Sequence, residues 1–350
     1  MTLLPPSEIE ALVQTYGPKV NEGRPIESII EAGELPILRG CKIHRGKVST
    51  SIYGDALKTP EGLPIRLMYR SNRVSTHDHH RGQIAFKDQV LALLHDRMLT
   101  LVEDAVGNSQ ISIPGLAPTS TVIAAENLEP ILFENVLRRY MAESSTSTSL
   151  YQHWLAGDRV FCGHILPKHL SANCKLPYIM DTPSTKAKND ESVSPQYLIE
   201  SGVCTEAEYT EIRNNSILAC GMVAAHDRAK GMILVDVKLE HGRTRSGEIV
   251  IMDEVFTLDS ARRWKLDPVT GGPELDENDK PKSYSKEFIR AMQFDPNTGL
   301  ITPEQEVAAA VRYIEAYQHI SDRPFEPDLR PREQRLIEST QLILDTLSIR

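Results

Sequence analysis

The sequence predicts an α+β fold, in which helices and strands alternate without a regular βαβ rhythm. Three observations support this prediction. The chain has 350 residues, enough to bury a large core in one or two lobes. Hydrophobic residues make up 40% and charged residues 25%, which is typical of a globular protein. Segments of helical and of strand-like periodicity both occur, and Gly or Pro separates the short strand-like runs.

The first 40 residues are predicted to form a helical N-terminal extension. Ser7 can cap a helix, and Glu10 three residues later would complete a capping box. Apolar residues follow at helical spacing. A second helical pattern begins at Ile26 and is expected to stop at Pro36.

Residues 41–130 are predicted to form a β-rich N-terminal lobe. Short runs of β-branched and aromatic residues, bounded by turn residues, indicate strands at position 43 and at residues 48–53, 65–69 and 111–113. Residues 86–102 repeat apolar side chains at helical spacing and are predicted to form a helix within this lobe.

Residues 131–350 are predicted to form a second, α+β lobe that ends in helices. A segment rich in Pro, Ser, Lys and Asn at 166–195 is expected to be the longest loop. Thr302 can cap a C-terminal helix whose first residue is Pro303. The other predicted elements are helices at 205–225 and 333–347 and a two-strand unit at 231–257.

Composition and charge exclude several classes of protein. With 39 basic and 48 acidic residues the net charge is −9, which argues against nucleic acid as a partner. No apolar run is long enough to cross a membrane, and the N-terminus does not resemble a signal peptide. The five cysteines include no CxxC pair, so we expect free thiols in the cytoplasm. The sequence does not indicate an oligomeric state.

The most informative segment lies at residues 231–240. In a strand, side chains alternate between two faces, so its β-branched and leucine residues would share a buried face. Asp236, Lys238 and Glu240 would share the other face. A lysine between two carboxylates can hold a phosphate group together with a divalent cation.

A turn at residues 244–247 would pair the next strand antiparallel to this one. Asp253 would then lie within about two residues of the position opposite Glu240. Two carboxylates plus nucleotide phosphates suit Mg²⁺, which needs few protein ligands. The alternative is a solvated hairpin face with ordinary charge alternation.

Two other motifs are weaker. Gly46 and Lys47 suggest a phosphate-binding turn, but Cys41 occupies the position where a Walker loop requires glycine. The run from His77 to His80, which includes Asp78, is predicted to be a polar loop rather than a metal site, because adjacent side chains cannot all point at one ion.

Taken in order, several segments resemble the SAICAR synthetase family of purine-pathway ligases. The most specific are Leu176–Pro177, residues 182–187, residues 236–240 and residues 253–264. The similarity extends from about Arg45 to Arg290. Family members condense carboxyaminoimidazole ribotide (CAIR) with L-aspartate and split ATP to ADP and phosphate.

The resemblance implies a two-lobed fold, with a small lobe similar to that of kinases and a larger lobe similar to ATP-grasp enzymes. It implies ATP and Mg²⁺ as cofactors. Lys47, beside Gly46, and Lys238 would be catalytic and contact the phosphates. Glu240 and Asp253 would hold Mg²⁺, and the segment from Pro130 to Glu134 would face adenine.

The resemblance also implies two small-molecule substrates, a carboxylate acceptor and an amino acid. The acceptor positions map onto Ser75, Asp78, Arg138, Ser144 and Arg262. The segment containing Ser184, Thr185 and the catalytic Lys186, with Asp190 behind it, would close over ATP and the amino acid. The acceptor carboxylate would become an acyl phosphate, which the amine then attacks.

Departures from the family pattern gather around the acceptor positions. They are Thr76, His77, Glu143 and Ala261. Glu143 replaces a glycine, and a carboxylate within about 4 Å of a phosphate would cost several kcal/mol at an effective dielectric near 20. The sequence therefore leaves two alternatives to SAICAR synthesis: a paralogue that joins a different acid to an amino acid, or an inactive nucleotide-binding scaffold.

Overall fold

The computed structural model describes residues 2–76, 79–146, 148–186, 190–284, 287–290 and 292–349. Two compact units divide the chain. The first consists of residues 1–97, 109–127 and 288–350, and the second of residues 98–108 and 128–287. Helices and strands mix in both units, so the α+β prediction is confirmed. Within the described residues, no helix is both long and apolar enough to span a membrane.

The elements of the described residues follow in chain order. The helices are α1 (Pro6–Val20), α2 (Ile26–Ala32), α3 (Lys87–Val102), α4 (Leu150–Leu155), α5 (Pro195–Glu200), α6 (Glu206–Ala229), α7 (Glu287–Arg290), α8 (Pro303–Ser321) and α9 (Arg332–Thr346). The strands are β1 (Lys42–Arg45), β2 (Ser49–Lys58), β3 (Pro64–Arg70), β4 (Arg73–Thr76), β5 (His79–Gln83), β6 (Val122–Glu126), β7 (Glu129–Pro130), β8 (Phe133–Tyr140), β9 (Val160–Phe161), β10 (His164–Ile165), β11 (Lys175–Asp181), β12 (Ser184–Thr185), β13 (Met232–Arg243), β14 (Ile249–Met252) and β15 (Ala261–Lys265).

The first unit is built on a four-stranded antiparallel sheet in the order β1-β2-β3-β6. Its N-terminal helix differs from the prediction in one detail. The helix α1 begins at Pro6 with Pro5 at its N-cap, and no side chain caps it. Ser7 is therefore inside the helix rather than at its cap. A proline at the first helical position already has the required φ angle and has no N–H to satisfy, which explains this start.

The C-terminal helices belong to the first unit, whereas the sequence analysis assigned them to the second lobe. The apolar face of α9 is the reason. Leu336, Ile343 and Leu344 are buried in the same apolar cluster as the strands β2, β3 and β6. The hydroxyl of Tyr69 on β3 also lies 3.1 Å from that of Thr340 on α9.

The second unit is built on a seven-stranded sheet with β8 and β13 at its centre. The predicted alternation of β13 is confirmed, since the apolar residues from Ile233 to Leu239 are buried and the opposite face carries the charges. Glu240 pairs with Met252 across the hairpin, which places Asp253 where the spacing predicted. The helix α6 carries a complete capping box between Thr205 and Glu208.

Two predicted elements differ from the observed ones. Residues 111–113 form no strand, and an isolated bridge between Gln110 and Ala125 is the nearest pairing. The segment 166–195 contains β11 and β12, although it was predicted to be a loop. Its composition is loop-like, but β11 and β12 both pair with β8, and this pairing satisfies backbone groups that solvent would otherwise have to satisfy.

Candidate active site

The predicted lysine–carboxylate cluster forms on the charged face of β13. The ammonium group of Lys238 donates to the carboxylate of Glu134 on β8, and its Nζ lies 3.4 Å from Oε1 of Glu240. Lys186 donates to the other carboxylate oxygen of Glu240. The structure thus brings together four residues that the sequence analysis singled out, from three segments of the second unit.

The surrounding charges hold Glu240 and Lys238 in the ionised form. Burial would raise the pKa of Glu240, but the charges of Lys238 and Lys186 and a hydrogen bond with Asp253 lower it to about 2. Burial would lower the pKa of Lys238, but the charges of Glu240 and Glu134 raise it above its usual value. At neutral pH the ammonium group of Lys238 therefore lies beside the carboxylate of Glu240.

The carboxylates of Glu240 and Asp253 fit a Mg²⁺ site. Asp253 follows β14, and its left-handed φ of 58° turns the chain there. Its side chain lies next to Glu240, whose ionised carboxylate offers hard oxygen donors. Among the residues that the structure describes, no cluster has three or more metal-ligating side chains. The pair suits an ion that takes its remaining ligands from water and phosphate.

A second charged cluster lies next to the first on the same sheet face. Asp236 pairs with Arg138 on β8 and with Arg262 on β15, so three neighbouring strands place these side chains side by side. Nε of Arg262 donates to both carboxylate oxygens of Asp236 at 2.9 and 3.0 Å. Nη1 of Arg138 reaches Oδ2 of Asp236 at 3.5 Å. Two guanidinium groups share one carboxylate, so the cluster keeps one net positive charge.

The sequence analysis missed the role of Asp236 as the residue that holds this arginine pair. A signal was present, because Asp236 alternates with Lys238 and Glu240 along one strand. Residues two apart on a strand are about 7 Å apart on one face. The arginine pair and the lysine–carboxylate cluster are therefore neighbours.

Glu143, the main departure from the family pattern, has a charged partner. Its carboxylate accepts a hydrogen bond from the ammonium group of Lys280, and its carbonyl oxygen lies 3.4 Å from Nη1 of Arg262. Both side chains are partly exposed, at 32% for Glu143 and 56% for Lys280. The negative charge of Glu143 is thus offset by a residue that the sequence did not connect with it.

The segment after β11 connects the two clusters. The hydroxyl of Thr182 accepts a hydrogen bond from Nε of Arg138 at 2.9 Å. Further along, the hydroxyl of Ser184 lies 3.5 Å from Oε2 of Glu134, and Lys186 reaches Glu240. The segment therefore contacts both charged clusters.

Other predicted residues of the second unit make local contacts. The hydroxyl of Ser144 lies 2.9 Å from that of Thr146. The hydroxyl of Thr185 accepts from the amide of Glu191 at 3.1 Å. Asp190 is exposed just before Glu191. Within the described part of the chain, these three residues make no hydrogen bond to either charged cluster.

Three predicted residues belong to the first unit. Gly46 and the exposed Lys47 lie in the turn between β1 and β2, and Nη2 of Arg73 donates to the carbonyl oxygen of Gly46 at 3.1 Å. Ser75 is on β4. Asp78 and His77 lie outside the described residues, while the neighbouring His79 and His80 are exposed on β5.

Comparison with known proteins identifies relatives of this chain. The family model for SAICAR synthetase matches residues 42–302. The phosphoribosylaminoimidazole-succinocarboxamide synthase of Legionella pneumophila (strain Paris) is 32% identical over 83% of this chain and 91% of its own length. The chloroplastic synthase of Arabidopsis thaliana is 30% identical over 80% of this chain and 69% of its own length.

Solved structures share the fold. The SAICAR synthase of Saccharomyces cerevisiae, complexed with SAICAR, has a TM-score of 0.67 at 23% identity, covering 83% of this chain and 98% of its own. A type-2 SAICAR synthetase in complex with ADP has a TM-score of 0.60 at 18% identity, covering 82% of this chain and 100% of its own. Since the family model spans most of the chain and a curated relative at 32% identity covers 83% of it, the chain belongs to the SAICAR synthetase family.

Proposed function

We propose that this chain condenses CAIR with L-aspartate and splits ATP to ADP and phosphate. Membership of the family makes the chain an ATP-dependent ligase that forms a carbon–nitrogen bond. One observation supports the specific reaction most strongly. A lysine–carboxylate cluster suited to nucleotide phosphates and an arginine pair suited to a phosphorylated acceptor are adjacent on one sheet face.

The ATP subsite is assigned to the cluster around Lys238. Its ammonium group and that of Lys186 would turn from the carboxylates toward the phosphate oxygens when the nucleotide enters. Lys47, in the glycine-containing turn of the first unit, is proposed to contact the same phosphates, and Glu134 to face the nucleotide.

Mg²⁺ is proposed to bind Glu240 and Asp253. When bound with the nucleotide, the ion would offset negative charge on the transferred phosphoryl group. The low pKa of Glu240 keeps this carboxylate available as a ligand at neutral pH. A cation held by Glu240 would offset its charge, and Lys186 could then contact phosphate oxygens.

The acceptor subsite is assigned to Arg138 and Arg262. A guanidinium fork matches the oxygens of a phosphate, and Asp236 holds the Arg262 fork in place. Ser75, Asp78 and Ser144 remain proposed contacts of the same substrate. The ion pair between Glu143 and Lys280 supports a phosphorylated acceptor, because it offsets the carboxylate that would otherwise repel the phosphate.

The reaction follows from the charges of the two subsites. A carboxylate is a poor electrophile, so its oxygen first attacks the γ-phosphorus of ATP and ADP leaves. The resulting acyl phosphate is attacked by the amine of the amino acid. The C–O bond to phosphate breaks, phosphate leaves and the amine loses a proton, which yields an amide. The lysines stabilise phosphoryl charge, and most of the catalysis comes from positioning.

The amino acid is proposed to be L-aspartate, held near the segment that contains Ser184, Thr185 and Lys186, with Asp190 beyond it. The cytoplasm is the proposed location. It rests on the cysteines, which are all free thiols, as expected in a reducing compartment.

A second candidate function is the ligation of a different acid to an amino acid. Glu143 and Ala261 favour it, because both depart from the family pattern beside Arg262. The two candidates predict different acceptors but the same nucleotide chemistry.

Measuring ADP release separates the candidates. We expect purified protein to release ADP when given CAIR, L-aspartate and Mg-ATP together, and not when any one is omitted. Lys238→Ala should lower turnover about 100- to 1,000-fold, because it removes a charge that stabilises the transferred phosphoryl group. Exposed Lys168 provides a matched control, and Lys168→Ala should retain wild-type turnover.

Three outcomes would contradict the proposal. Release of ADP with another acid–amine pair and not with CAIR would establish the second candidate. Wild-type turnover by a folded Lys238→Ala variant would show that the phosphate assignment is wrong. Absence of ADP release with every pair, despite ADP binding, would indicate the inactive scaffold.

A further inference from the structure

A buried carboxylate that the proposed mechanism does not use lies directly before the segment that joins the two clusters. Asp181 is the last residue of β11 and is 1% exposed. Its Oδ2 accepts hydrogen bonds from the hydroxyl of Tyr209 at 2.7 Å and from Nε of Arg213 at 3.1 Å. Nε2 of His164 donates to its backbone oxygen at 2.8 Å and lies 3.3 Å from its Oδ1.

The partners of Asp181 come from two separate elements. Tyr209 and Arg213 are four residues apart on α6 and therefore share one face of that helix. His164 is on β10, which pairs with the adjacent strand β9 in a two-stranded sheet. The carboxylate thus ties the end of β11 to a helix on one side and to a small hairpin on the other.

Asp181 is an anion in the folded protein. Burial alone would raise its pKa, but hydrogen bonds from His164 and Tyr209 and the charge of Arg213 outweigh burial, and its pKa lies below the usual range. The same contact raises the pKa of His164. These charges reinforce the attachment of Asp181.

The next residue connects this attachment to the arginine pair. The amide and the hydroxyl of Thr182 both donate to the carbonyl oxygen of Val136, at 2.8 and 3.0 Å. The same hydroxyl accepts from Nε of Arg138 at 2.9 Å. The position of Asp181 therefore sets the position of Thr182, and Thr182 orients the guanidinium of Arg138.

We propose that Asp181 is a positioning residue: held by Tyr209 and Arg213, it fixes Thr182 so that Arg138 presents its guanidinium to the acceptor. The identity of the acceptor rests on the proposed function, but the positioning of Thr182 does not. A purely structural role is the alternative. Buried ion pairs often contribute little net stability and can be replaced by apolar residues, so an apolar substitution can separate the two roles.

Tyr209→Phe tests the proposal with the smallest change. It removes one hydroxyl and keeps the ring, which stacks on Phe133 with the centroids 5.9 Å apart. We expect KM for CAIR to rise about tenfold or more, as loss of one hydrogen bond to a charged group implies. The affinity for Mg-ADP should stay within about twofold, because Lys238 and Glu240 do not contact Asp181.

Hydrogen exchange provides a readout that needs no acceptor. The Thr182 amide should exchange about tenfold faster in Tyr209→Phe, while the amides of β13 remain unchanged. Tyr197→Phe is the matched control, because Tyr197 is an exposed tyrosine on α5 of the same unit. Asp181→Leu is a second variant, which keeps the site filled but removes the charge.

The outcomes are distinct. Faster exchange at Thr182, with a raised KM for CAIR and unchanged Mg-ADP binding, supports the proposal. Unchanged exchange of the Thr182 amide in both Tyr209→Phe and Asp181→Leu overturns the proposal. An equal loss of affinity for CAIR and for Mg-ADP, together with a lower melting temperature, also overturns it. If wild-type protein does not use CAIR, the proposed function fails, while the exchange experiment still decides the role of Asp181.

Discussion

Asp227→Ala is expected to destabilise the second unit strongly. Asp227 on α6 and Arg263 on β15 form an ion pair in which both side chains are fully buried, with Nε and Oδ2 2.7 Å apart. Removing the carboxylate leaves a guanidinium in the interior without its anion. Breaking such a pair costs about 3–5 kcal/mol, a large part of the 5–15 kcal/mol that stabilises a typical domain.

The same change should also reach the active site. Arg263 donates to the carbonyl oxygen of Phe256 at 2.8 Å, within the turn that begins at Asp253. Both Phe256 and Asp253 have left-handed φ angles, 51° and 58°, which cost energy in residues other than glycine. Arg263 therefore supports a strained turn that carries a proposed Mg²⁺ ligand, and we expect weaker Mg-ADP binding in the variant.

Urea denaturation and thermal unfolding measure the effect. For a unit of this size, 3–5 kcal/mol corresponds to a decrease in melting temperature of roughly 6–20 °C. Glu338→Ala is the control, because Glu338 pairs with Arg330 on the surface, where both side chains are about half exposed. Loss of an exposed pair should cost less than about 1 kcal/mol.

The double variant Asp227→Leu/Arg263→Met should recover part of the lost stability, since it leaves no charge unpaired. The reasoning would be refuted if the Asp227→Ala variant proved no less stable than the Glu338→Ala variant. It would mean that Arg263 finds another partner or water once the carboxylate is gone.

Two further predictions concern metal binding and pH. Glu240→Gln should raise the Mg²⁺ concentration needed for half-maximal turnover at least about tenfold. Glu248→Gln, at an exposed position, is the control and should leave this concentration unchanged. Equal Mg²⁺ titration curves for the two variants would exclude Glu240 as a ligand. His95 is 3% exposed, and burial and the charge of Arg70 hold its pKa well below 6.5. As pH falls below about 6.5, His95 binds a proton in the unfolded chain before it does so in the folded protein, so the free energy of unfolding should decrease. Urea unfolding at pH 7 and pH 5.5 should show a smaller decrease for His95→Gln than for wild type.

Local periodicity predicted much of the fold. Thr302 as the predicted cap, with Pro303 at the first turn, placed the start of α8 correctly. The two-residue alternation in β13 correctly placed Lys238 and Glu240 on one face, and the turn residues of the hairpin placed Asp253 near them. These features depend on neighbours within a few residues, so the sequence contains them directly.

Other features depended on pairings between distant segments. The strand character of residues 175–181 comes from pairing with β8, which overrides a loop-like composition. The helix α9 belongs to the first unit because its apolar face packs against the apolar residues of β2, β3 and β6. Neither pairing leaves a local pattern in the sequence.

The sequence by itself determined the α+β class, the face of β13 that carries the charged residues, and the resemblance that led to the family. Only the tertiary structure decided that Asp236 joins Arg138 to Arg262 and that Lys280 offsets Glu143. The physical reason is the range of the interactions. Backbone periodicity is set by adjacent residues, whereas the partner of a charge is set by sheet register and chain crossings that here bring together residues 26 to 137 positions apart.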